Sequence, residues 1–118
     1  MITKRFHWIF DAIDIDGAFT NDDVHLRRVL ADLADICSMK IVGGPWVVNG
    51  VPENPGLTAI CIVDFSHISI HTFSRPREIC VDVFSCKSFD PEKVRDYLLN
   101  AFRANASTIR YVEVAYPA

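Results

Sequence analysis

Residues 57–73 read LTAICIVDFSHISIHTF and contain two stretches of different character. Leu57 to Asp64 is a nearly continuous apolar run of strand length, which predicts a central, covered strand. Ser66 to Phe73 alternates His67, Ser69 and His71 against Ile68 and Ile70. A period of two marks a strand with one apolar face and one wet face, because successive side chains point to opposite sides of a sheet.

The flanking segments extend the same pattern. Ser74 to Arg77 turns the chain, and Glu78 to Cys86 (EICVDVFSC) is another strand. On the other side, Gly50 to Gly56 reads as a loop. Ile41 to Asn49 reads as a strand interrupted by Gly43-Gly44-Pro45, hence an edge or bulged one. Arg5 to Asp14 mixes aromatic and β-branched residues and predicts a first strand, and Thr108 to Ala115 predicts a last one.

Two helices separate these strands. Asp14 to Thr20 carries turn chemistry, and Asn21 is expected to cap a helix with Asp22 and Asp23 in its first turn. Val24, Leu26, Val29, Leu30, Leu33 and Cys37 recur at helical spacing, with an end expected near Lys40, before Gly43 and Gly44. Asp90-Pro91-Glu92 supplies a cap, a first-turn proline and an acid for a second helix, whose apolar face is Val94, Tyr97, Leu98 and Phe102. The order β-α-β-β-β-β-α-β predicts an α+β fold: a two-layer α/β sandwich, mainly an antiparallel sheet with two helices on one face. The other face of the sheet then needs water or a partner.

Composition bounds the rest. The chain has 118 residues, 50% hydrophobic and 23% charged. One domain, residues 1–118, is expected, able to bury about two thirds of its unfolded surface. A net charge of −3 argues against a nucleic-acid partner. No apolar run is long enough to span a membrane, and Met1 to Phe10 has no secretory apolar core, so a cytoplasmic protein is expected. Of the four cysteines, Cys37, Cys61 and Cys80 read as small buried apolar residues, and free thiols are expected. No C-x-x-C pair exists and the Cys80–Cys86 gap is too loose for a zinc knuckle, so no metal is expected.

Reactive side chains concentrate in Asp64 to Thr72. A serine followed by histidines one and five residues on suggests nucleophilic chemistry, yet Ser66 lacks the glycine-flanked elbow of a hydrolase. The plain alternative is a half-exposed strand face.

The wider pattern is more specific. Ser66-His67-Ile68-Ser69-Ile70-His71-Thr72 resembles the Ser-His-apolar-x-Ile-His-Thr signature of the pyruvoyl-dependent S-adenosylmethionine decarboxylases of the short prokaryotic class. Phe84-Ser85-Cys86 stands where that family has Phe-Ser/Thr-Cys, with Cys86 15 residues after His71 (86 − 71 = 15), and Asp82 also matches. His7 and Asp11 match more loosely. The element order is similar throughout.

The resemblance implies a self-processing proenzyme cut between Phe65 and Ser66. Ser66 Oγ would attack the preceding carbonyl, giving an ester. Loss of the Ser66 α-proton would then eliminate that ester and leave a residue that hydrolyses to a pyruvoyl group, the cofactor. His71 matches the family's proton-transfer histidine in processing, and Thr58 stands eight positions before the reactive serine, where the family usually has a serine. The pyruvoyl carbonyl would take the substrate amine as a Schiff base and act as electron sink, with Cys86 as proton donor. Ile68 and Arg75 fall at substrate-binding positions. A homodimer with sites between protomers and a small amino-acid-type substrate are also implied.

The chain departs from the family at three places. Phe65 replaces a glutamate before the serine. Phe73-Ser74-Arg75 replaces Trp-Pro-Glu, whose acid binds ribose hydroxyls; Glu78 could supply it from a shifted loop. Cys86-Lys87 replaces Cys-Gly. The leading reading is a decarboxylase of S-adenosylmethionine in polyamine (spermidine) biosynthesis. The rivals are the same chemistry on ornithine or arginine, and a non-processing homologue acting as a binding or regulatory protein.

Overall fold

The computed structural model describes residues 4–112. Six strands form one antiparallel sheet: β1 (Phe6–Ile13), β2 (Ile41–Val51), β3 (Asn54–Val63), β4 (Ser66–Phe73), β5 (Glu78–Ser85) and β6 (Ala106–Tyr111). Their spatial order is β2-β3-β4-β5-β1-β6. Two helices, α1 (Asp23–Ile36) and α2 (Pro91–Ala101), complete the α+β sandwich. Neither is long and apolar enough to cross a membrane.

Period-two patterning sorts the sheet into faces. Phe10, Ala59, Ile70 and Val81 lie in one cross-strand row, and Cys61, Ile68 and Val83 in another. All seven are fully buried, in one core with Leu26, Val29, Leu30 and Leu33 of α1 and Val94 and Leu98 of α2. The helices are joined by a hydrogen bond from the Tyr97 hydroxyl to Asp32 (2.6 Å). His67 and His71 are half-buried on the face the helices leave open, whereas Ser69, between them on that face and expected to be wet, is buried, with 8% of its surface exposed.

Some boundaries differ from the sequence reading. A 3-10 turn occupies Gly17–Asn21, so the extended backbone that a cap requires comes one residue later. Asp22, not Asn21, caps α1, accepting from His25 N at 3.0 Å. The helix stops at Ile36 rather than near Lys40, because Ser38 turns left-handed (φ 57°) and Met39 N closes back on Ala34 O at 2.8 Å. Asp90 caps α2 as expected, accepting from Glu92 N at 3.0 Å.

The expected loop 50–56 is mostly hairpin, with β2 running to Val51 and β3 starting at Asn54. Its two glycines permit close packing: a Cβ on Gly50 would lie 2.5 Å from Asn54 O, and one on Gly56 1.9 Å from Thr72 O. β2 is the bulged edge strand that Gly43-Gly44-Pro45 predicted, with register shifts on both sides of Gly43. β6 begins at Ala106, earlier than predicted, and the expected strand end at Ala115 lies outside the described residues.

Candidate active site

Antiparallel register places a row of reactive side chains across the open face: Thr58, His71, Cys80, Asp11 and Thr108, each opposite the next. Thr58 Oγ1 lies 3.0 Å from His71 Nδ1. That contact fixes the imidazole ring and leaves Nε2 as the nitrogen free to move a proton. At the other end of the row Asp11 pairs with Arg110 (2.5 Å) and accepts from Thr108 Oγ1 (3.3 Å). The Cys80 thiol is held above its usual range, first by burial and then by the Asp11 charge.

A second cluster stands where β4 begins and β5 ends. Ser66 pairs with Ser85 across β4 and β5, and its φ is 139°, a region that suits glycine. The Phe65 carbonyl oxygen, the one before Ser66, accepts a hydrogen bond from Cys86 N at 3.0 Å. Ser85 Oγ donates to Lys87 O (2.8 Å) and accepts from Lys87 N (2.9 Å), which bends the chain just past Cys86. Asp64 is tied to the Lys40 backbone at both its N–H and its carboxylate, each at 2.9 Å. These two bonds close the β3 end against the segment before β2.

The expected site residues therefore fall into two groups. Ser66, Phe65 and Cys86 meet at one end of β4. Thr58 and His71 meet near the other, five residues along, about 17 Å at strand rise. Ile68 belongs to neither. It is fully buried on the helix face of β4, so its side chain cannot reach a ligand on the open face. Arg75 is also displaced from its expected role: its guanidinium donates to the carbonyls of Glu53 (3.0 Å) and Pro52 (2.9 Å), clamping the β2–β3 turn. A cavity of about 540 Å³ beside this hairpin, lined by Thr20, Asn49, Gly50, Pro55 and Ser74 among others, holds none of the expected site residues.

Cys37 and Cys61 are buried as expected, whereas Cys80 is only half-buried, because its strand position faces the open side of the sheet. Desolvation pushes Cys37 up to about 12 and Cys61 to about 11, so both stay protonated and inert at neutral pH.

A model of the S-adenosylmethionine decarboxylase family matches residues 6–114. The chain belongs to that family. This decarboxylase is 30% identical over 105 residues to an S-adenosylmethionine decarboxylase proenzyme of Pyrococcus furiosus, covering 88% of this chain and 73% of that one. It is 27% identical over 112 residues to the Thermococcus gammatolerans proenzyme, covering 94% and 76%. The crystal structure of adenosylmethionine decarboxylase from Aquifex aeolicus VF5 superposes with a TM-score of 0.77 at 21% identity, over 100% of this chain and 96% of that one, and shares the fold. Family membership makes the protein a self-processing decarboxylase, a carboxy-lyase.

In the decarboxylase fold the open face carries a third group whose arrangement the linear sequence did not reveal. His7 Nε2 lies 2.9 Å from Asp82 Oδ1, and His67 Nε2 lies 3.9 Å from the same oxygen. Phe84 sits between the two rings, stacked on His67 and edge-on to His7. These residues come from three strands. The one available signal was that His67 and Asp82 both occupy wet positions of alternating strands.

Proposed function

We propose that this chain cuts itself between Phe65 and Ser66, carries the resulting pyruvoyl group at residue 66, and decarboxylates S-adenosylmethionine in spermidine biosynthesis. The observation that carries the reading is the geometry of the scissile bond. Its carbonyl is gripped by the Cys86 N–H, and the residue after it is held at φ 139°. The hydrogen bond is suited to the oxyanion that forms when Ser66 Oγ attacks. A non-glycine residue in this backbone region costs roughly 1–3 kcal/mol, released when the amide becomes an ester.

The later steps need a base at the Ser66 α-carbon, the role of His71. Five residues of extended strand separate the two within one chain, so we assign His71 and Thr58 to the site of a second copy. The open face suits such packing. Trp46, Val48, Ile60 and Ile62 stand side by side on β2 and β3 with 51%, 64%, 38% and 46% of their surface exposed. A twofold, face-to-face dimer would cover this patch and bring one chain's Ser66 end toward the partner's His71 end.

The pyruvoyl group supplies an electron sink for the bond to the departing carboxylate. Around it, the Cys86 thiol returns a proton to the substrate carbon. Asp82, on the open face with only histidines as ion-pair partners among the described residues, favours a cationic sulfonium substrate over a neutral one.

The test is mass spectrometry together with carbon dioxide release. Two fragments, residues 1–65 and 66–118 with a keto-blocked second N-terminus, and release from S-adenosylmethionine are expected. An intact 13.3 kDa chain after prolonged incubation overturns the reading. So does preferred release from ornithine or arginine.

A further inference from the structure

The two residues flanking the expected cleavage centre that depart from the family's pattern, Phe65 and Lys87, touch each other. Lys87 Nζ lies 5.0 Å from the centroid of the Phe65 ring. The same ammonium donates to Ser38 O at 2.8 Å and forms no ion pair among the described residues. Lys87 directly follows Cys86, whose N–H holds the Phe65 carbonyl. A half-buried cation without a counter-ion among the described residues is thus parked on the residue whose carbonyl is to react.

The chemistry of cleavage creates the missing anion at that place. In the first step Ser66 Oγ bonds to the Phe65 carbonyl carbon and the C–N bond breaks, freeing the Ser66 amine. In the second, a base takes the Ser66 α-proton and the Cβ–Oγ bond breaks. The electron pair of that bond leaves on Phe65, which becomes a C-terminal carboxylate. No oxidant or reductant is needed. We propose that Lys87 is the cation for this leaving carboxylate: it swings from the Phe65 ring to the new Phe65 C-terminus, lowers the barrier to elimination, and afterwards pins the cut end. The inference rests on the self-cleavage reading above. Lysine suits the task because its four-carbon stem is flexible and its ammonium is a mobile point charge. A charge-assisted contact made as charge develops acts on the transition state, not on the uncut chain.

The step acted on can be read separately, because hydroxylamine cleaves the ester but not the amide. Purified wild type, Lys87→Met and Lys87→Arg are followed by gel and mass, with and without hydroxylamine. Lys87→Met is expected to form ester normally, accumulate it, and release fragments about 10- to 100-fold more slowly. Lys87→Arg is expected to recover most of the rate. Unchanged ester level and release in Lys87→Met overturn the proposal. So does a Lys87→Met chain that stops as hydroxylamine-resistant amide, since the lysine would then act on folding or on the first step. A wild-type chain that is itself uncut and hydroxylamine-resistant overturns the self-cleavage reading instead.

Discussion

Cys86 grips Phe65 through its main chain, with N–H and carbonyl oxygen 3.0 Å apart. On the proposed function, one residue offers two groups to two reactions, a backbone donor for the cut and a thiol for the later proton transfer. Side-chain replacement separates them. Cys86→Ala keeps the donor and is expected to cleave at close to the normal rate while losing about 10²–10⁴-fold in decarboxylation. Carbon dioxide release from fully cut protein checks this, and an unchanged rate would return Cys86 to a packing role.

Ser66→Gly removes the hydroxyl and suits φ 139°. It should remain a single chain and should resist denaturant more than Ser66→Ala, by roughly 1 kcal/mol, since alanine keeps the strain. Equal midpoints for the two variants in urea would show that the backbone at residue 66 is relaxed in solution.

His71→Ala should stall after the acyl shift, so that added hydroxylamine cuts the chain. Co-expression of His71→Ala with Ser66→Ala is the sharper measurement. If His71 acts across a dimer, the mixed pair contains one complete site, and the His71→Ala chain alone should be cut. Two uncut chains in a verified mixed dimer would place both groups in one protomer.

Arg75→Ala should loosen the β2–β3 turn, costing about 0.5–1.5 kcal/mol, and leave KM for S-adenosylmethionine unchanged. The guanidinium is spent on the carbonyls of Pro52 and Glu53. A raised KM with normal stability would restore Arg75 to the substrate site.

Cys37 and Cys61 give the fold an alkaline limit. Both hold their protons more tightly folded than at the ordinary 9.0 of an exposed thiol. The unfolded chain therefore loses protons first, and stability should fall as pH rises past about 9 toward the folded values near 11 and 12. Urea midpoints between pH 8 and 10.5 measure the slope, which Cys37→Val should reduce.

The sandwich was legible because its signals are local. Alternation in Ser66–Phe73, the continuous apolar run before it and the Asp90-Pro91 start of α2 each specify an element within a few residues. Asn21 misled because a 3-10 turn, which has no strong sequence mark, consumed the position. The turn at Pro52-Glu53 was hidden because glycines that normally signal a loop here allow two strand arms to approach. Among the proposed site residues, Ser66, His71 and Cys86 stand out in the sequence only through their resemblance to the family's motif. That Ile68 faces the core follows from simple strand parity with Ile70. The Arg75 clamp and the His7–Asp82–His67 group depend on which strands become neighbours, and no single segment encodes that.

The separation of Ser66 from His71 along β4 has a kinetic consequence. If the cut requires another molecule's imidazole, maturation is second order in newly made chain. Dilute precursor would stay dormant for long periods, and doubling synthesis would more than double the rate at which active enzyme appears. The length of one strand would then act as a dosage gauge, tying the first catalytic turnover to how much of the protein the cell has already made.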